Sequence, residues 1–564
     1  MSSRSSGRTR LNAEEIALLE RQLREVSWSR RRLLGRGVAL GLAGLGAATG
    51  RWAMQRARAA GLQTPTAQKG GDGTLVVIVS SDPLSFNPDF QVDDGGFPIA
   101  SNIYNTLLSL NGTYEVIPEL ATSWEVAEDG LSVTFTLAEG ATWHDGQPVT
   151  SADVKYTFEQ IVADPAAPAA TLLSPIEGVE TPDDRTAVCR LKQPSASILG
   201  FIAWYGTFIL PAHIYQGTDW TQNPANQSPI GSGPFKLVSY EPGSSIELEA
   251  NLDYFGEGPY VDRLIFNIIP DANTALQALL NGEADVLHSP SPPASQVPTL
   301  QETPGIKVAL KQYPSVYYIG FNLEKEPFNK PEVRQAIAQA IDRDQIVEIA
   351  LAGIGSAATT FYTSAISWAV NNDAQAPSFD PEAAAAALDA AGYPANGGSR
   401  FKAQLVYFTA SPEYGDIATV LKQQLAAINI DVELVGLEIG AYGDRMQAGD
   451  FDIGLINGFQ GPDPANLRIR VGTGGSVNHW RLSNPDIDRL LDEGDAGTDQ
   501  ESRAAKYMEL QAILARDLPI VPLANVVVPY PYSDRVSGVF FDNDDPVASQ
   551  VGLNRFTLTR IARE

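Results

Sequence analysis

Segments with the hydrophobic pattern of β-strands alternate with amphipathic, helix-like segments along most of this chain, which restricts it to an α/β architecture. The run TLVVIV at 74–79 is apolar and β-branched, as buried strands are, and LSVTFTL at 131–137 alternates apolar with polar side chains. Further strands are predicted at 186–191, 431–437 and 520–528, and helices at 153–160, 333–350, 381–391, 417–428 and 503–516. The 564 residues provide for two or three domains.

Charge is distributed unevenly and separates the N-terminus from the rest. The first 59 residues hold twelve Arg and four Glu, which leaves 28 basic and 63 acidic residues in the remainder. A body of such negative charge repels nucleic acid and anionic lipid headgroups. The sequence therefore argues against nucleic-acid binding.

The N-terminus has the features of an export signal. Arg30 and Arg31 precede a glycine-rich apolar run at 37–50 and an A-x-A cleavage pattern at 57–59. This resembles a twin-arginine signal, so 1–59 is predicted as the signal region and 60–73 as a flexible linker. A short uncleaved anchor is the alternative, although the apolar run is too short and too rich in glycine to span a bilayer stably. The body is expected in the periplasm or outside the cell, with no lipid-anchoring cysteine after the run.

The single cysteine, Cys189, excludes an intramolecular disulfide and a thiolate metal cluster. It falls in the predicted strand at 186–191, where a small buried apolar role is expected.

Several helix and packing features are also predicted. Thr150 or Ser151 is expected to cap the helix at 153–160, with Asp153 near its positive end. Trp143 is expected in a core, and Arg334 and Asp342 in ion pairs on the surface or between lobes.

Ordered motifs connect this chain to a known family. They lie at 118–125, 128–131, 135–137, 143–146, 152–154, 230–235, 251–255, 320–322, 327–328, 333–336, 340–343, 380–381, 390–394 and 483–488. In order and spacing they resemble the peptide/nickel extracellular solute-binding proteins of family 5. The resemblance extends from residue 74 to the C-terminus.

The resemblance implies a two-lobed periplasmic-binding-protein-like fold (type II, cluster C) with a hinge between the lobes. Lobe I would comprise 74–311 and 526–564, with an extra subdomain, and lobe II would comprise 312–525. Such a protein is the substrate-binding subunit of an ABC importer, which closes on a solute and delivers it to a membrane permease. It would be a monomer without enzymatic activity, cofactor or metal. Peptide is the first choice of ligand, with oligosaccharide, another organic solute or a nickel chelate as alternatives.

Candidate ligand residues are aromatic and polar side chains in the expected cleft regions. They are Trp204, Tyr205, Tyr317, Tyr318, Asn322, Phe361, Tyr362, Trp368, Phe459, Gln460, Asp463, Asn478, His479 and Trp480. In peptide binders of the family, an aspartate in the turn at 458–466 fixes the ligand's amino group. Here the aspartate that usually precedes Pro-Asp-Pro is missing, which leaves Gln460 and Asp463 as the polar candidates.

An exported hydrolase is the competing function class. The chain contains neither the G-x-S-x-G motif of a nucleophile elbow nor the H-E-x-x-H motif of a zinc helix. The four histidines, at 144, 213, 288 and 479, lack ligand spacing, although His479 keeps nickel binding open.

Overall fold

The computed structural model describes residues 69–90, 95–111, 114–204, 207–409, 411–497, 499–541 and 555–562. All of them belong to one compact unit, 65–564. The predicted signal region, the linker up to residue 68 and the candidate Tyr205 lie outside the described residues.

The described part of the chain folds into strands joined by helices, as its alternating pattern predicts. The strands are β1 (Thr74–Val79), β2 (Leu108–Leu110), β3 (Val116–Pro118), β4 (Ala121–Val126), β5 (Ser132–Leu137), β6 (Ile176–Asp183), β7 (Thr186–Leu191), β8 (Phe235–Glu241), β9 (Ser245–Ala250), β10 (Arg263–Ile268), β11 (Val286–Leu287), β12 (Ile306–Phe321), β13 (Ser356–Ala357), β14 (Phe401–Phe408), β15 (Ile430–Leu437), β16 (Ile453–Phe459), β17 (Ile520–Ser533), β18 (Val536–Ser537) and β19 (Arg560–Ile561). The helices are α1 (Gly96–Ile103), α2 (Ser151–Ala163), α3 (Ala170–Leu173), α4 (Ile198–Ile202), α5 (Ala212–Tyr215), α6 (Ala272–Leu280), α7 (Val297–Gln301), α8 (Pro331–Gln339), α9 (Arg343–Gln345), α10 (Pro381–Ala390), α11 (Pro412–Ala427), α12 (Ile439–Ala448), α13 (Arg468–Val471), α14 (Pro485–Ala496) and α15 (Gln500–Asp517). Short 3-10 turns lie at Pro224–Asn226, Ala294–Gln296, Ser364–Ala369 and Pro464–Leu467, and a π-helical turn at Ile346–Ala350.

The largest sheet contains two groups of strands joined by a long antiparallel pair. Its order is β15-β14-β16-β12-β17-β11-β1-β10-β9-β8, with β13 beside β17. In the first group β1 runs parallel to β10 and β11, and in the second β14 runs parallel to β15 and β16. Both groups reach β12 and β17, so the polypeptide passes between them along this pair.

The pairing of β12 with β17 is interrupted near its middle. Residues up to Gln312 pair in one register, and pairing resumes at Val316 in another. Beside the break, the Tyr313 and Tyr530 hydroxyls lie 2.6 Å apart, and the Gln312 amide donates to Ser364 Oγ at 2.7 Å. An irregularity of this kind bends a strand pair locally, because ladder hydrogen bonds are missing there.

A separate four-stranded sheet has the order β4-β5-β7-β6, and α2 packs on it. Cys189 is fully buried in β7, as predicted. Thr150 and Asp153 form a reciprocal capping box at the start of α2, and Trp143 is buried, which confirms both predictions.

The predicted continuous helix at 333–350 is wrong. α8 ends at Gln339, and Asp342 starts a new turn by accepting a hydrogen bond from the Gln345 amide at 3.1 Å. A side chain that accepts a hydrogen bond from the backbone amide three residues later caps the start of a helix. The helix is therefore broken before Asp342, although the apolar period of the sequence continues across the break.

The predicted ion pairs of Arg334 and Asp342 are also wrong. Arg334 is buried and donates from Nε to the carbonyls of Asp517 (2.9 Å) and Leu518 (3.1 Å), and from Nη1 to that of Phe328 (2.8 Å). Backbone carbonyls at a helix end satisfy a guanidinium without a carboxylate.

The last residues of the predicted linker are fixed. The amides of Gly71 and Gly73 donate to the Asp262 carboxylate at 2.6 and 3.1 Å, and the Gly70 amide donates to the Pro259 carbonyl at 2.8 Å. Residues 69–73 are therefore anchored to the segment 259–262 before β10 and do not form a flexible tether.

Candidate functional site

The order of the β14 group places a crevice at the end of β14. The chain leaves β14 through α11 to reach β15, and then returns past β14 through α12 to β16. Tyr414 of α11 packs against Tyr317 on one face, whereas Met446 of α12 packs beside Gly454 and Trp480 on the other. In open α/β sheets, ligands bind outside the carboxyl ends of strands where successive helices lie on opposite faces.

Side-chain alternation along β12 and β16 decides which residues face the crevice. Tyr318 points to the face that holds Trp480, with their ring centroids 5.8 Å apart. Its neighbour Tyr317 therefore points to the α11 face, together with Ser315 and their cross-strand partners Asn457 and Phe459. We call Ser315, Tyr317, Asn457 and Phe459 the crevice strip.

Aromatic rings line the α11 side of the crevice. Tyr317 and Tyr414 pack edge to face with centroids 5.5 Å apart. Phe408 is the last residue of β14. The centroid of its ring lies 4.0 Å from that of Tyr414 and 5.5 Å from that of Tyr442 in α12. Phe408 is half-buried, so the end of β14 presents an apolar surface between the two helices.

A carboxylate lies among these rings. Glu413 belongs to the first turn of α11, is half-buried, and accepts a hydrogen bond from the Ser411 hydroxyl. Burial, and then the neighbouring charge of Asp416, raise the pKa of Glu413. Burial, with the Glu413 charge as a further cause, also raises the pKa of Tyr317 and of Tyr414.

The opposite wall comes from the segment after α4. The Trp204 ring stacks on Phe459 of the crevice strip, with centroids 4.7 Å apart and planes 16° from parallel. Phe97 of α1 supports Trp204 from behind, at 6.5 Å. Near this stack, Ser195 Oγ and the Ser197 amide donate to the Asp495 carboxylate at 3.1 and 3.2 Å. These contacts connect the α4 region to the second strand group and cover the crevice.

A small polar cavity of about 20 Å³ lies behind Trp204 and has room for about one water molecule. Its lining includes Thr106 and the ion pair of Glu119 with Arg555, whose side chains are both 6% exposed.

Gln460 and Asp463, the predicted polar ligand groups, are engaged within the protein. The Gln460 side chain accepts from the Thr363 amide at 2.8 Å and donates to the Phe361 carbonyl at 2.5 Å. Asp463 caps the turn at Pro464–Leu467 and pairs with Arg503 at 2.7 Å, both side chains being at most 10% exposed. Both residues therefore fix the chain after β16.

Asn322, Asn478 and Trp480 also serve local structure. The Asn322 amide donates to the carbonyls of Gly449 (2.9 Å) and Phe451 (3.2 Å). The Asn478 amide donates to those of Gly472 (2.9 Å) and Leu482 (2.7 Å). The Trp480 ring is fully buried and lies directly over the backbone of Gly320, where any side chain would collide with it.

The remaining predicted residues lie on the face away from the crevice strip. Tyr318 and Phe361 line a cavity of about 10 Å³ beside Arg470, too small for an organic ligand. The Tyr362 hydroxyl donates to the Pro464 carbonyl at 2.8 Å, and Trp368 packs edge to face on Tyr507. His479 is half-buried, and burial lowers its pKa.

Of the predicted residues within the described part of the chain, Trp204, Tyr317 and Phe459 come together at the crevice. The residues that the sequence did not indicate are Phe97, Phe408, Glu413, Tyr414 and Asn457. The strand pattern that ends at Phe408, followed by Ser-Pro-Glu at a helix start, was the available signal for part of this set.

Comparisons with known proteins identify the family of this chain. The family model "Bacterial extracellular solute-binding proteins, family 5 Middle" matches residues 115–478. The heme-binding protein A of Haemophilus influenzae is 29% identical over 84% of this chain and 90% of its own length. The oligopeptide-binding protein AppA of Bacillus subtilis is 29% identical over 80% of this chain and 86% of its own length.

Solved structures of the same kind share the architecture. The periplasmic binding protein DppA of Helicobacter pylori, in complex with the peptide STSA, superposes with a TM-score of 0.74 at 27% identity. The match covers 88% of this chain and 99% of that one. The two-lobed α/β fold predicted from the motifs is thereby confirmed.

The described residues contain neither a membrane-spanning helix nor a metal-binding group of side chains. No helix in them combines the length and apolar composition that a membrane span requires. Within the same residues, no three His, Cys, Asp or Glu side chains are grouped as a metal site.

Proposed function

We propose that this chain captures peptides in the crevice between its lobes and delivers them unchanged to an ABC importer. The chain belongs to family 5 of the bacterial extracellular solute-binding proteins. The carrying observation is the stack of Trp204 on Phe459, where a ring from one strand group closes over the crevice strip of the other. Flat rings hold peptide groups at low entropic cost, and separation of one stack exposes the strip.

The proposed lobes are 74–311 with 526–564, including the four-stranded sheet, and 312–525. The break in the β12–β17 ladder supports this division. The register changes between the pair Gln312–Val527 and the pair Val316–Asn525, which lie at the two proposed boundaries. A ligand that contacts both lobes stabilises the closed arrangement by its higher affinity for that state. Binding and release then require bending at the hinge and no covalent chemistry, so we propose that the protein is not an enzyme.

The proposed route of export is the twin-arginine pathway, with 1–59 as the signal. The paired Arg30 and Arg31 before an apolar run support it, although these residues lie outside the described part of the chain. The body would then act in the periplasm or at the cell exterior, beside the permease.

Peptide is preferred among the possible solutes because structural relatives were solved with peptides. The DppA relative holds the peptide STSA and the AppA relative, 26% identical, holds a nonapeptide. The crevice strip offers aromatic surface and exposed ladder ends, which suit an extended peptide.

Native mass spectrometry of the purified protein tests the proposal, combined with small-angle scattering before and after ligand removal. We expect retained peptide masses and a larger radius of gyration once the peptide is removed. Retention of an oligosaccharide or a nickel chelate would contradict the peptide assignment. An unchanged radius, or turnover of the added peptide, would contradict the capture mechanism itself.

A further inference from the structure

We infer that the crevice selects ligands carrying a positive charge, and that the Glu413 carboxylate is the group that binds this charge. This inference rests on the proposed peptide-capture function and names the chemistry of the ligand that the same crevice takes. The positive group is an ammonium or a guanidinium, such as a free amino terminus or the side chain of Lys or Arg.

The position of Glu413 follows from the topology. α11 begins at Pro412, directly after β14, so its first turn borders the carboxyl end of that strand. Glu413 directly precedes Tyr414, whose ring packs edge to face on Tyr317 of the crevice strip with centroids 5.5 Å apart. Its charge is also a further cause of the raised pKa of both tyrosines. The same strip carries Phe459, on which Trp204 closes. A ligand under Trp204 therefore extends toward Glu413.

The protein does not neutralise this carboxylate with its own cations. Ser411 donates a hydrogen bond to it, and Asp416, its charged neighbour, repels it. No Lys, Arg or His side chain among the described residues forms a salt bridge with Glu413, whereas the buried Asp463 and Glu119 each have an Arg partner. Burying an ionised carboxylate without a cationic partner costs free energy. A ligand that supplies the cation offsets this cost and binds more tightly.

The aromatic residues near Glu413 also favour binding of a cation. The rings of Tyr317, Tyr414 and Phe408 pack on one another next to Glu413, which directly precedes Tyr414. Aromatic rings combined with an acid are the general chemistry of ammonium and guanidinium recognition. The excess of acidic residues in the whole chain, with a net charge of −27, adds attraction for cations at long range.

The turn after β16 offers no competing acid. Asp463 is held by Arg503 and by the Ala465 amide, which donates at 2.9 Å. The carboxylate that recognises a ligand's positive group thus lies on the opposite wall of the crevice, at the start of α11.

The experiment uses the full chain and an equimolar pool of tripeptides Ala-X-Ala, in which X is Lys, Arg, norleucine, Gln or Glu. A second pool is Nα-acetylated, so that a side-chain cation and the amino terminus are distinguished. Bound peptides are separated by ultrafiltration and quantified by mass spectrometry for the wild type, Glu413→Gln and Asp444→Asn. Asp444 is an exposed carboxylate on α12, so Asp444→Asn makes the same chemical change at an exposed position.

We expect the wild type and Asp444→Asn to enrich cationic peptides. In Glu413→Gln, we expect the enrichment to fall about ten- to hundredfold, which corresponds to the loss of a charged hydrogen bond. Preference for Lys and Arg over norleucine, Gln and Glu within both pools assigns a side-chain cation, and retention of all five free peptides that is lost on acetylation assigns the amino terminus.

Two results separate failure of this inference from failure of the proposed function. If the wild type retains the free and acetylated pools equally and prefers neither Lys nor Arg within them, or if Glu413→Gln retains the same set, the inference is wrong and peptide capture stands. If the wild type retains no peptide from either pool, the proposed function fails and the inference fails with it. The wild-type preference is informative even if the variant does not fold.

Discussion

The two faces of the β12–β16 strand pair differ in how their side chains are used. On one face, Trp480 fills the space above Gly320 and Gly454, and Gln460 and Asp463 hold backbone and Arg503. On the other face, the Trp204 ring stacks on Phe459 of the crevice strip, and the Glu413 carboxylate accepts from Ser411 and has no cationic partner within the described part of the chain. The first face contributes stability mainly through buried packing and internal hydrogen bonds, although Trp480 Nε1 and Arg470 Nη1 have no hydrogen-bond partner there in the residues that the structure describes. The second face keeps a carboxylate without an internal cation among the described residues, as binding surfaces do.

The largest effect that can test this difference is the loss of Trp480. Trp480→Ala removes a fully buried ring and is expected to lower the free energy of unfolding by about 3–5 kcal/mol. Phe459→Ala, on the other face, is expected to cost about 1 kcal/mol, because Phe459 is half-buried. Urea unfolding followed by circular dichroism measures both, and equal losses would mean that the two faces do not differ.

Gln460 provides a smaller test of the same face. Gln460→Ala leaves the Thr363 amide and the Phe361 carbonyl without their buried partner, and should cost about 1–3 kcal/mol. The exposed Gln423 of α11 is a matched control, for which the same substitution should change stability by less than about 0.5 kcal/mol. If Gln460→Ala unfolds like the wild type but no longer binds peptide, Gln460 belongs to the binding face.

Trp204 tests the crevice side. Trp204→Ala removes the stack on Phe459 and should weaken the binding of the co-purifying peptide about three- to tenfold, the value of one aromatic pair. Isothermal titration calorimetry measures the change, with Trp124→Ala in the four-stranded sheet as a control for loss of a tryptophan. Unchanged affinity in Trp204→Ala would remove Trp204 from the site.

The smallest expected effect has the opposite sign. Burial raises the pKa of Glu413, so its ionised form destabilises the fold at pH values above that pKa and the cost disappears in acid. Glu413→Gln should therefore be more stable than the wild type at pH 7, by less than about 1 kcal/mol, with the gain vanishing toward pH 4.5. Urea unfolding at both pH values checks this, and Asp444→Asn should show no such gain. Lower stability of Glu413→Gln at pH 7 would indicate a structural role.

Local patterns predicted much of the fold and little of the crevice. The strands at Thr74–Val79 and Thr186–Leu191 have the predicted bounds, because their apolar and alternating residues are decided by burial alone. The helix break before Asp342 was missed because the apolar period continues through it. Cleft residues depend on strand order and on partners far along the chain.

Two residues illustrate that dependence. Asp463 looks available in the sequence, yet Arg503, 40 residues later, pairs with it. Glu413 looks like an ordinary first-turn acid, and becomes distinctive only because β14 lies between β15 and β16. Trp204, Tyr317 and Phe459 were accessible to prediction because large aromatic side chains between strand ends are few.

The interrupted ladder between β12 and β17 favours bending of the strand pair over twisting. Both connections run side by side and hydrogen-bond to each other above and below the gap, so twisting or sliding one strand strains the other. Bending across the gap is the soft motion that remains. The proposed lobes therefore open and close by one bending motion. A membrane permease then has two conformations, open and closed, to distinguish.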